Sequence, residues 1–221
     1  MHDPAKHWDH LHQNPRFRPS YPSDHVVRFM VGSRARMENN DHARFLDIGV
    51  GAGRHTKLAA DLAFIPFGID ISLVGLQHAQ ERLRQGNVRP HLAEASMLAL
   101  PFKDASFEVV LSYGVFYYGT AAEMKRGIQE AHRVLRPGGR AFVVLRTADD
   151  CRFAKGDQIE ANTYRLTITH TNELGTVQHF LTAGDIPSYF SEFSRLNFEK
   201  SETTFANQQF LNSDWLITAE K

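Results

Sequence analysis

The stretch FLDIGVGAGRHT, residues 45–56, determines how the rest of the chain is interpreted. An apolar run precedes three glycines, Gly49, Gly51 and Gly53, and a polar segment suited to a helix follows them. Glycine lets the backbone turn sharply and approach a ligand closely, because it has no Cβ. The free N–H groups at the start of the next helix carry partial positive charge, which suits a carboxylate or a phosphate. The stretch therefore predicts a strand, a ligand-binding loop and a helix.

The same alternation of strand and helix continues along the first two thirds of the chain. Apolar runs predict five strands, at residues 44–50, 64–71, 89–95, 107–112 and 140–145. Helical periodicity occupies the intervals, at 54–62, at 73–86 and from 120 to 137. Thr120 and Glu123 form a capping-box pattern at the start of the third of these helices, and Pro137, Gly138 and Gly139 are expected to end it.

The last third of the chain has a different pattern. Residues 148–181 are polar and irregular, with a possible strand pair at 164–169 and 175–180. A helix capped by Thr182 and two strands, at 196–205 and 214–220, are predicted to follow. With the preceding alternations, this predicts an α/β fold with a doubly wound, mainly parallel, seven-stranded sheet and helices on both faces. Residues 1–221 are interpreted as a single domain.

The charge balance, the cysteine content and the lengths of the apolar runs limit the classes of function to be expected. The chain has 221 residues, and 25 lysines and arginines balance 25 aspartates and glutamates. A nucleic-acid binder usually has a basic surplus, so a small-molecule partner and no nucleic acid are expected. Cys151 is the only cysteine, which fits a reducing compartment. The N-terminus lacks the apolar core of a signal peptide and no apolar run is long enough to span a membrane, so a cytoplasmic location is expected.

Two classes of cofactor compete for the glycine loop. A dinucleotide site requires G-x-G-x-x-G, but Arg54 and Thr56 stand where its third glycine would fall. The spacing is instead G-x-G-x-G, with Asp47 two residues before the first glycine. An acid directed into this loop suits the ammonium of an amino-acid group and opposes a pyrophosphate.

With these residues the chain resembles the class I S-adenosylmethionine-dependent methyltransferases. Asp47 and the three glycines match the first motif of that family, and Asp70 in FGIDIS matches the acid that ends its second strand. The phrases LPFKDASFEVV, at 100–110, and RVLRPGG, at 133–139, are similar to two further family phrases. The resemblance is strong over residues 40–147. It implies methyl transfer from S-adenosylmethionine to a small-molecule acceptor, with S-adenosylhomocysteine as product.

The resemblance also implies a set of cofactor residues. Asp70 is expected to bind the ribose hydroxyls, and Ser96 stands where the family often has an aspartate near the adenine. Met97 can pack on a purine face. Glu108 replaces the usual aspartate of the fourth-strand phrase. The predicted cofactor contacts are Asp47, Gly49, Val50, Gly51, Gly53, Asp70, Ile71, Ser96, Met97 and Tyr113.

The acceptor is expected at the carboxyl end of the fourth strand, where several aromatic residues occur together. Tyr117 and Tyr118 are assigned to it, and residues 148–181 are interpreted either as an acceptor-side insertion or as an ordinary surface hairpin. The predicted acceptor contacts are Tyr21, Tyr117, Tyr118, Glu160, Asn162, Thr163 and His179. No residue is identified as a catalytic base, although His179 is favoured over His55 and His132.

Residues 1–40 are interpreted as a lid or cap segment, with Trp8, Phe17 and Tyr21 as aromatic anchors, and a frayed tail is the alternative. His7 and His10 could share a helix face, but their surroundings give no convincing ligand set, so no metal site is predicted. Two other functions stay open: a cofactor-binding regulatory module without turnover, and aminopropyl transfer on the same fold. The sequence does not indicate an oligomeric state.

Overall fold

The structure, a computed structural model, describes residues 3–37, 42–89 and 91–221. Its helices are α1 (Pro4–Gln13), α2 (Asp24–Ala35), α3 (Arg54–Asp61), α4 (Leu73–Gln85), α5 (Ala121–Val134) and α6 (Ile186–Tyr189), with a 3-10 turn at Pro15–Phe17. Its strands are β1 (Arg44–Ile48), β2 (Ile65–Asp70), β3 (His91–Glu94), β4 (Phe107–Tyr113), β5 (Leu135–Arg146), β6 (Gly156–Glu160), β7 (Thr163–Leu166), β8 (Val177–His179), β9 (Arg195–Phe205) and β10 (Phe210–Glu220).

Seven of the strands form one sheet in the order β3-β2-β1-β4-β5-β10-β9. The pairings among β1 to β5 are parallel, whereas β10 pairs antiparallel with both β5 and β9. This arrangement confirms the predicted α/β class with a mainly parallel, seven-stranded sheet. The chain order reverses between β1 and β4, and ligands of such sheets bind outside the strand ends at that point.

Two apolar layers cover the sheet because successive side chains of a strand point to opposite faces. Val109 of β4 packs with Phe29 of α2 and Ala59 of α3, all of them buried. Its neighbour Val110 packs on the other face with Ile128 of α5. Each fully buried side chain of this size stabilises the fold by about 1.5–3 kcal/mol. The two layers hold the strand ends, and thus the site, in fixed positions.

Some element boundaries differ from the prediction. Helix α5 ends at Val134, and β5 starts at Leu135, five residues earlier than expected, because Leu135 already has extended dihedral angles and pairs with Phe107. Thr182 does not cap a long helix. Its N–H and hydroxyl both donate to the carboxylate of Asp185, and α6 is a single turn.

The segment 148–181 forms a second, three-stranded sheet in the order β6-β7-β8, of which the sequence indicated only two strands. This small sheet is attached to the chain that follows β4. Gly119 donates a backbone hydrogen bond to Val177, and His179 donates one to Tyr117. The insertion therefore lies directly behind the aromatic residues at the end of β4.

The N-terminal helix α1 lies across the start of α4. Asp9 Oδ1 accepts hydrogen bonds from Ser72 Oγ at 2.7 Å and from the Val74 N–H at 3.1 Å. Residues 3–37 of the predicted lid segment are thus docked on the domain, while residues 1–2 and 38–40 of it lie outside the described residues. In the described part of the chain, no helix is long and apolar enough to cross a membrane.

Candidate active site

A cavity of about 450 Å³ lies between α1 and the carboxyl ends of β1, β2 and β4. This volume is within the usual range for a small-molecule site. One wall is the glycine loop, a second is formed by residues 95–98, and a third is formed by residues 113–118. The predicted residues that line it are Gly49, Val50, Gly51, Asp70, Ile71, Ser96, Met97, Tyr113, Tyr117 and Tyr118.

The loop after β1 needs glycine for two separate reasons. Gly49 and Gly51 have φ values of +76° and +49°, in the left-handed region that favours glycine. A Cβ at Gly49 would also lie 2.3 Å from Val115 Cγ2. The Gly49 and Val50 N–H groups both donate to the Ile69 carbonyl, at 2.8 and 2.9 Å. The loop is therefore fixed against β2 and presents its backbone to the cavity.

Asp70 is the buried acid at the end of β2. Its Oδ2 accepts from the Gly51 N–H at 2.8 Å, and its Oδ1 accepts from the Ser72 N–H at 2.9 Å. Burial raises the pKa of Asp70, although the hydrogen bonds from Ser72 and Gly51 oppose that effect. A carboxylate offers about four lone-pair sites, and these two bonds use two of them. The remaining capacity can accept from a pair of hydroxyl groups.

Asp47 and Gly53, both predicted cofactor contacts, lie away from the cavity wall. The carboxylate of Asp47 is 2 % exposed and accepts from Thr56 Oγ1 at 2.7 Å, beneath the loop. Burial raises the pKa of Asp47 to about 7, against the effect of the Thr56 hydrogen bond. Gly53 faces α4, and a Cβ there would lie 3.0 Å from Ala79 Cα. These two residues shape the loop from below rather than line it.

The wall of residues 95–98 connects β3 to the following turn and is suited to a flat ring. Ser96 Oγ accepts from the Leu98 N–H at 3.2 Å, which closes a small turn. Met97 packs against the main core cluster and also lines the cavity. Ile71 lies at the same end of the cavity.

His55 and Arg54, at the start of α3, form the floor near Tyr113. His55 Nε2 accepts from the Ser23 N–H at 3.3 Å. Burial, assisted by the charge of Arg54, lowers the pKa of His55 to about 3, so the ring is neutral. The Arg54 guanidinium lies 5.3 Å from the centre of the Tyr113 ring and donates to the Tyr21 carbonyl at 3.2 Å.

Tyr117 and Tyr118 form the aromatic wall opposite the loop. Their ring centres are 4.6 Å apart, and the Tyr118 ring meets Trp8 of α1 edge to face at 4.8 Å. Burial raises the pKa of Tyr117 to about 12, although the nearby Arg146 opposes the shift. The Arg146 guanidinium lies 4.5 Å from the centre of the Tyr117 ring. Both tyrosines therefore keep their protons in the neutral pH range.

A buried charge cluster supports this aromatic wall from behind. Glu173 accepts from Tyr118 Oη and from Arg146 Nη2, each at 2.7 Å, and also from Arg152 Nε. Burial opposes the ionisation of Glu173, but the two arginines outweigh it and lower its pKa to about 2. Arg152 also donates to Asp150 at 3.0 Å. A buried ion network of this kind is satisfied only while every partner is present.

The predicted acceptor contacts in the insertion do not reach the cavity. His179 is buried with both ring nitrogens occupied, Nδ1 by the Thr163 hydroxyl at 2.7 Å and Nε2 by the Tyr189 hydroxyl at 2.8 Å. Glu160 accepts from the Ala121 N–H at 2.7 Å, at the start of α5. Asn162 lies in the tight turn between β6 and β7, with φ at +56°. These four residues hold the insertion together and to α5.

Tyr21 does not line the cavity either. Its side chain is 83 % exposed, and its carbonyl accepts a hydrogen bond from Arg54. Several lining residues were not predicted as contacts. They are Pro4, Trp8, His12, Phe17, Pro19, Ile48, Ala52, Arg54, His55, Ile69, Ala95, Leu98, Gly114, Val115 and Glu123. Of these, Trp8 and Phe17 are aromatic anchors named from the sequence, and His55 is one of the histidines considered there as a base.

Among the described residues, no group of three or more His, Cys, Asp or Glu side chains is placed to hold a metal ion.

Comparison with known proteins gives consistent findings. A family model described as a methyltransferase domain matches residues 45–139. The demethylmenaquinone methyltransferase of Tropheryma whipplei is 30% identical over 174 residues, which cover 77% of this chain and 67% of the relative. The 2-phytyl-1,4-naphtoquinone methyltransferase of Nostoc punctiforme is 36% identical over 81 residues, which cover 35% of this chain and 34% of the relative.

Solved structures support the same fold. A methyltransferase from Methanosarcina mazei described as SAM-dependent superposes with a TM-score of 0.66 at 20% identity, over 82% of this chain and 93% of that one. An S-adenosylmethionine-dependent methyltransferase from Clostridium acetobutylicum gives a TM-score of 0.66 at 15% identity, over 95% of this chain and 96% of that one. At these identities the likeness concerns the fold.

Proposed function

The chain belongs to the class I S-adenosylmethionine-dependent methyltransferases, and on that basis we propose that its acceptor is a hydroxylated aromatic ring. The chain is an enzyme that transfers a methyl group from S-adenosylmethionine to a small-molecule acceptor. The class of that acceptor and the residues that contact it are the proposal. The aromatic lining of the cavity, opposite the cofactor loop, is the observation that carries it.

The residues present fit the cofactor. Asp70 has lone pairs free for two ribose hydroxyls, and Gly49 and Gly51 line the cavity in backbone conformations that favour glycine. Met97 and Ile71 supply apolar surface for a purine. When bound, the cofactor supplies an electrophilic methyl group on a sulfonium. Asp47 is proposed to act on binding only indirectly, through Thr56 and the shape of the loop.

The acceptor end of the cavity favours a flat, neutral ring. Five aromatic side chains line the cavity, and ring faces and edges of this kind pack on planar molecules and attract a nearby sulfonium. They come from the N-terminal segment, from the last residue of β4 and from the chain that follows it, namely Trp8, Phe17, Tyr113, Tyr117 and Tyr118. A strongly charged acceptor would lose its hydration in such surroundings without adequate compensation.

The protonation states of the wall favour an acceptor that ionises readily. Tyr117, with a pKa of about 12, is a hydrogen-bond donor at neutral pH. His55, with a pKa of about 3, is too weak a base to remove a proton from an alcohol or an amine. A phenolic hydroxyl has a pKa of about 10, and its ring becomes electron-rich as the proton leaves. We propose that the acceptor provides this nucleophile, that its proton passes to the solvent, and that the protein orients the ring towards the methyl group. The methyl group leaves the sulfonium, which becomes the neutral thioether of S-adenosylhomocysteine.

The names of the relatives support this class. Two of them are named for methyl transfer to demethylmenaquinone and to a phytyl naphthoquinone. The reduced form of a quinone is a hydroxylated aromatic ring, which matches the cavity wall. The equal numbers of acidic and basic residues support the further proposal that nucleic acid is not the acceptor.

An acceptor panel tests the proposal. The chain is incubated with S-adenosylmethionine and, in parallel, with a dihydroxynaphthalene, a catechol, an aliphatic amine and an aliphatic alcohol, and products are detected by mass spectrometry. Methylated product is expected with the two hydroxylated aromatics and at background level with the aliphatic compounds. The Asp70→Ala variant is the control, since its product must fall at fixed cofactor concentration. Turnover of the amine or the alcohol in preference to both aromatics would refute the proposed acceptor class.

A further inference from the structure

His12, in the last turn of α1, reaches the cofactor end of the cavity. The side chain is 7 % exposed and lines the cavity with Gly51 and Asp70. Its Nε2 lies 3.5 Å from the position that a Cβ of Gly51 would occupy. The helix that covers the site therefore brings an imidazole to the same place as the acid expected to hold the ribose.

The hydrogen bonds around Ser72 determine which nitrogen of His12 carries the proton. Ser72 Oγ donates its single proton to Asp9 Oδ1, at 2.7 Å. Ser72 Oγ therefore accepts in its 2.9 Å hydrogen bond with His12, and His12 Nδ1 is the donor. Burial lowers the pKa of His12, which keeps the ring neutral. Nε2 is thus an acceptor, and none of the hydrogen bonds among the described residues uses it.

The space for this imidazole depends on Gly75, in the first turn of α4. A Cβ on Gly75 would lie 2.7 Å from His12 Nδ1, closer than real contacts allow. Glycine inside a helix costs about 1 kcal/mol relative to alanine. The first turn of α4 therefore has a residue that weakens the helix but leaves room for His12.

We propose that His12 is a cofactor-binding residue, whose Nε2 accepts a hydrogen bond from one ribose hydroxyl of the cofactor while Asp70 accepts from the ribose as well. The lid helix then holds the cofactor directly, and the Asp9–Ser72–His12 chain orients the imidazole. The inference depends on the cofactor and not on the proposed acceptor class. It can therefore fail or succeed independently of that class.

Calorimetry without any acceptor tests the inference. S-adenosylhomocysteine and two deoxy analogues, each lacking one ribose hydroxyl, are titrated into the unaltered chain and into His12→Ala. Loss of one neutral hydrogen bond should weaken binding of S-adenosylhomocysteine by about threefold to tenfold. In the unaltered chain, one analogue should show a similar loss. In His12→Ala, removal of that same hydroxyl should have almost no further effect.

Two further variants keep the test decisive. Gly75→Ala keeps His12 in the sequence but displaces its ring, so it should reproduce the loss. His10→Ala changes an exposed histidine of the same helix and should bind as the unaltered chain does. If His12→Ala binds more tightly, His12 obstructs the site and the inference is wrong. If each deoxy analogue binds more weakly than S-adenosylhomocysteine by the same factor in the unaltered chain and in His12→Ala, His12 does not contact the ribose. In that case the inference is also wrong.

Discussion

Tyr118 Oη donates a 2.7 Å hydrogen bond to Oε1 of Glu173, a carboxylate that is 55 residues further along the chain. The bond connects the wall of the cavity to the insertion that follows β5. On its other side the Tyr118 ring meets Trp8 of α1, in the segment predicted to be a lid. One tyrosine therefore touches the lid, the cavity and the insertion. The insertion is therefore joined to the cavity wall by this contact and by the backbone hydrogen bond from His179 to Tyr117.

Removing the Tyr118 hydroxyl should affect the acceptor and not the cofactor. Tyr118→Phe keeps the ring but breaks its bond to Glu173, so the ring is held less firmly against Trp8. We expect the KM for the acceptor to rise about threefold to tenfold, as for the loss of a hydrogen bond of about 1 kcal/mol. The Kd of S-adenosylhomocysteine should not change. Tyr164→Phe, in β7, is the control and should leave both constants unchanged; an equal rise in both variants would contradict the assignment.

Gly49→Ala should prevent cofactor binding, and Gly138→Ala is its matched control. Both glycines have nearly the same positive φ, +76° and +75°, so alanine adds similar backbone strain of about 1 kcal/mol. A Cβ at Gly49 would clash with Val115, whereas nothing lies within 4 Å of one at Gly138. Thermal unfolding and calorimetry should show a larger stability loss and no measurable cofactor binding for Gly49→Ala alone. Equal behaviour of the two variants would mean that the loop is not closely packed.

Asp47→Asn should increase the stability of the ligand-free protein at high pH. The pKa of Asp47 is raised from about 4 in an unfolded chain to about 7, so its ionisation weakens the fold progressively between those pH values. The asparagine oxygen can still accept from Thr56 but cannot ionise. The increase in the free energy of unfolding should be absent near pH 4 and reach at most about 4 kcal/mol above pH 7.

Urea unfolding of Asp47→Asn and the unaltered chain across this pH range measures that difference. The control is Asp61→Asn, which makes the same replacement at an exposed position at the end of α3. If Asp47→Asn changes the free energy of unfolding by the same amount at every pH, the ionisation of the buried carboxylate does not cause the difference in stability.

Most of the residues predicted to contact the cofactor line one cavity, and their contact with the cofactor stays a prediction. The glycine loop and Asp70 are local features, since a strand, a tight turn and a helix start determine their geometry within a few residues. The mainly parallel, seven-stranded sheet followed from the alternation of strands and helices, whereas the strand order was not predicted. The position of Asp47 below the loop was missed, because its direction depends on the side-chain contact with Thr56 and not on the motif.

The acceptor half could not be predicted in the same way. Whether His179 faces the cavity or the insertion depends on the register of β7 with β8, in which it stands opposite Thr163. A shift of one residue would reverse the direction of its side chain, and the sequence contains no signal that fixes the register. His12 was missed because its contact with Ser72 spans 60 residues, and docking of the lid helix is a tertiary event.

Deleting the N-terminal segment tests whether it acts as a lid. Deletion of residues 1–20 removes Trp8 and His12 together, but it leaves the sheet and the main core clusters complete. We expect the truncated chain to stay folded by circular dichroism, to bind S-adenosylhomocysteine more weakly and to lose most of its turnover, because water then enters the site. Full turnover with unchanged affinity would instead show that the segment is a dispensable tail.

The hydroxylated aromatic ring that we propose as the methyl acceptor in this cavity can be tested directly. The most direct measurement uses S-adenosylmethionine with a deuterated methyl group and a dihydroxynaphthalene, with tandem mass spectrometry of the product. We expect the intact deuterated methyl group on the naphthalene product, and a decrease of about tenfold to a hundredfold in its rate for Asp70→Ala at low cofactor concentration. No label on the ring, or labelled product that forms equally fast in the Asp70→Ala variant, would contradict the account.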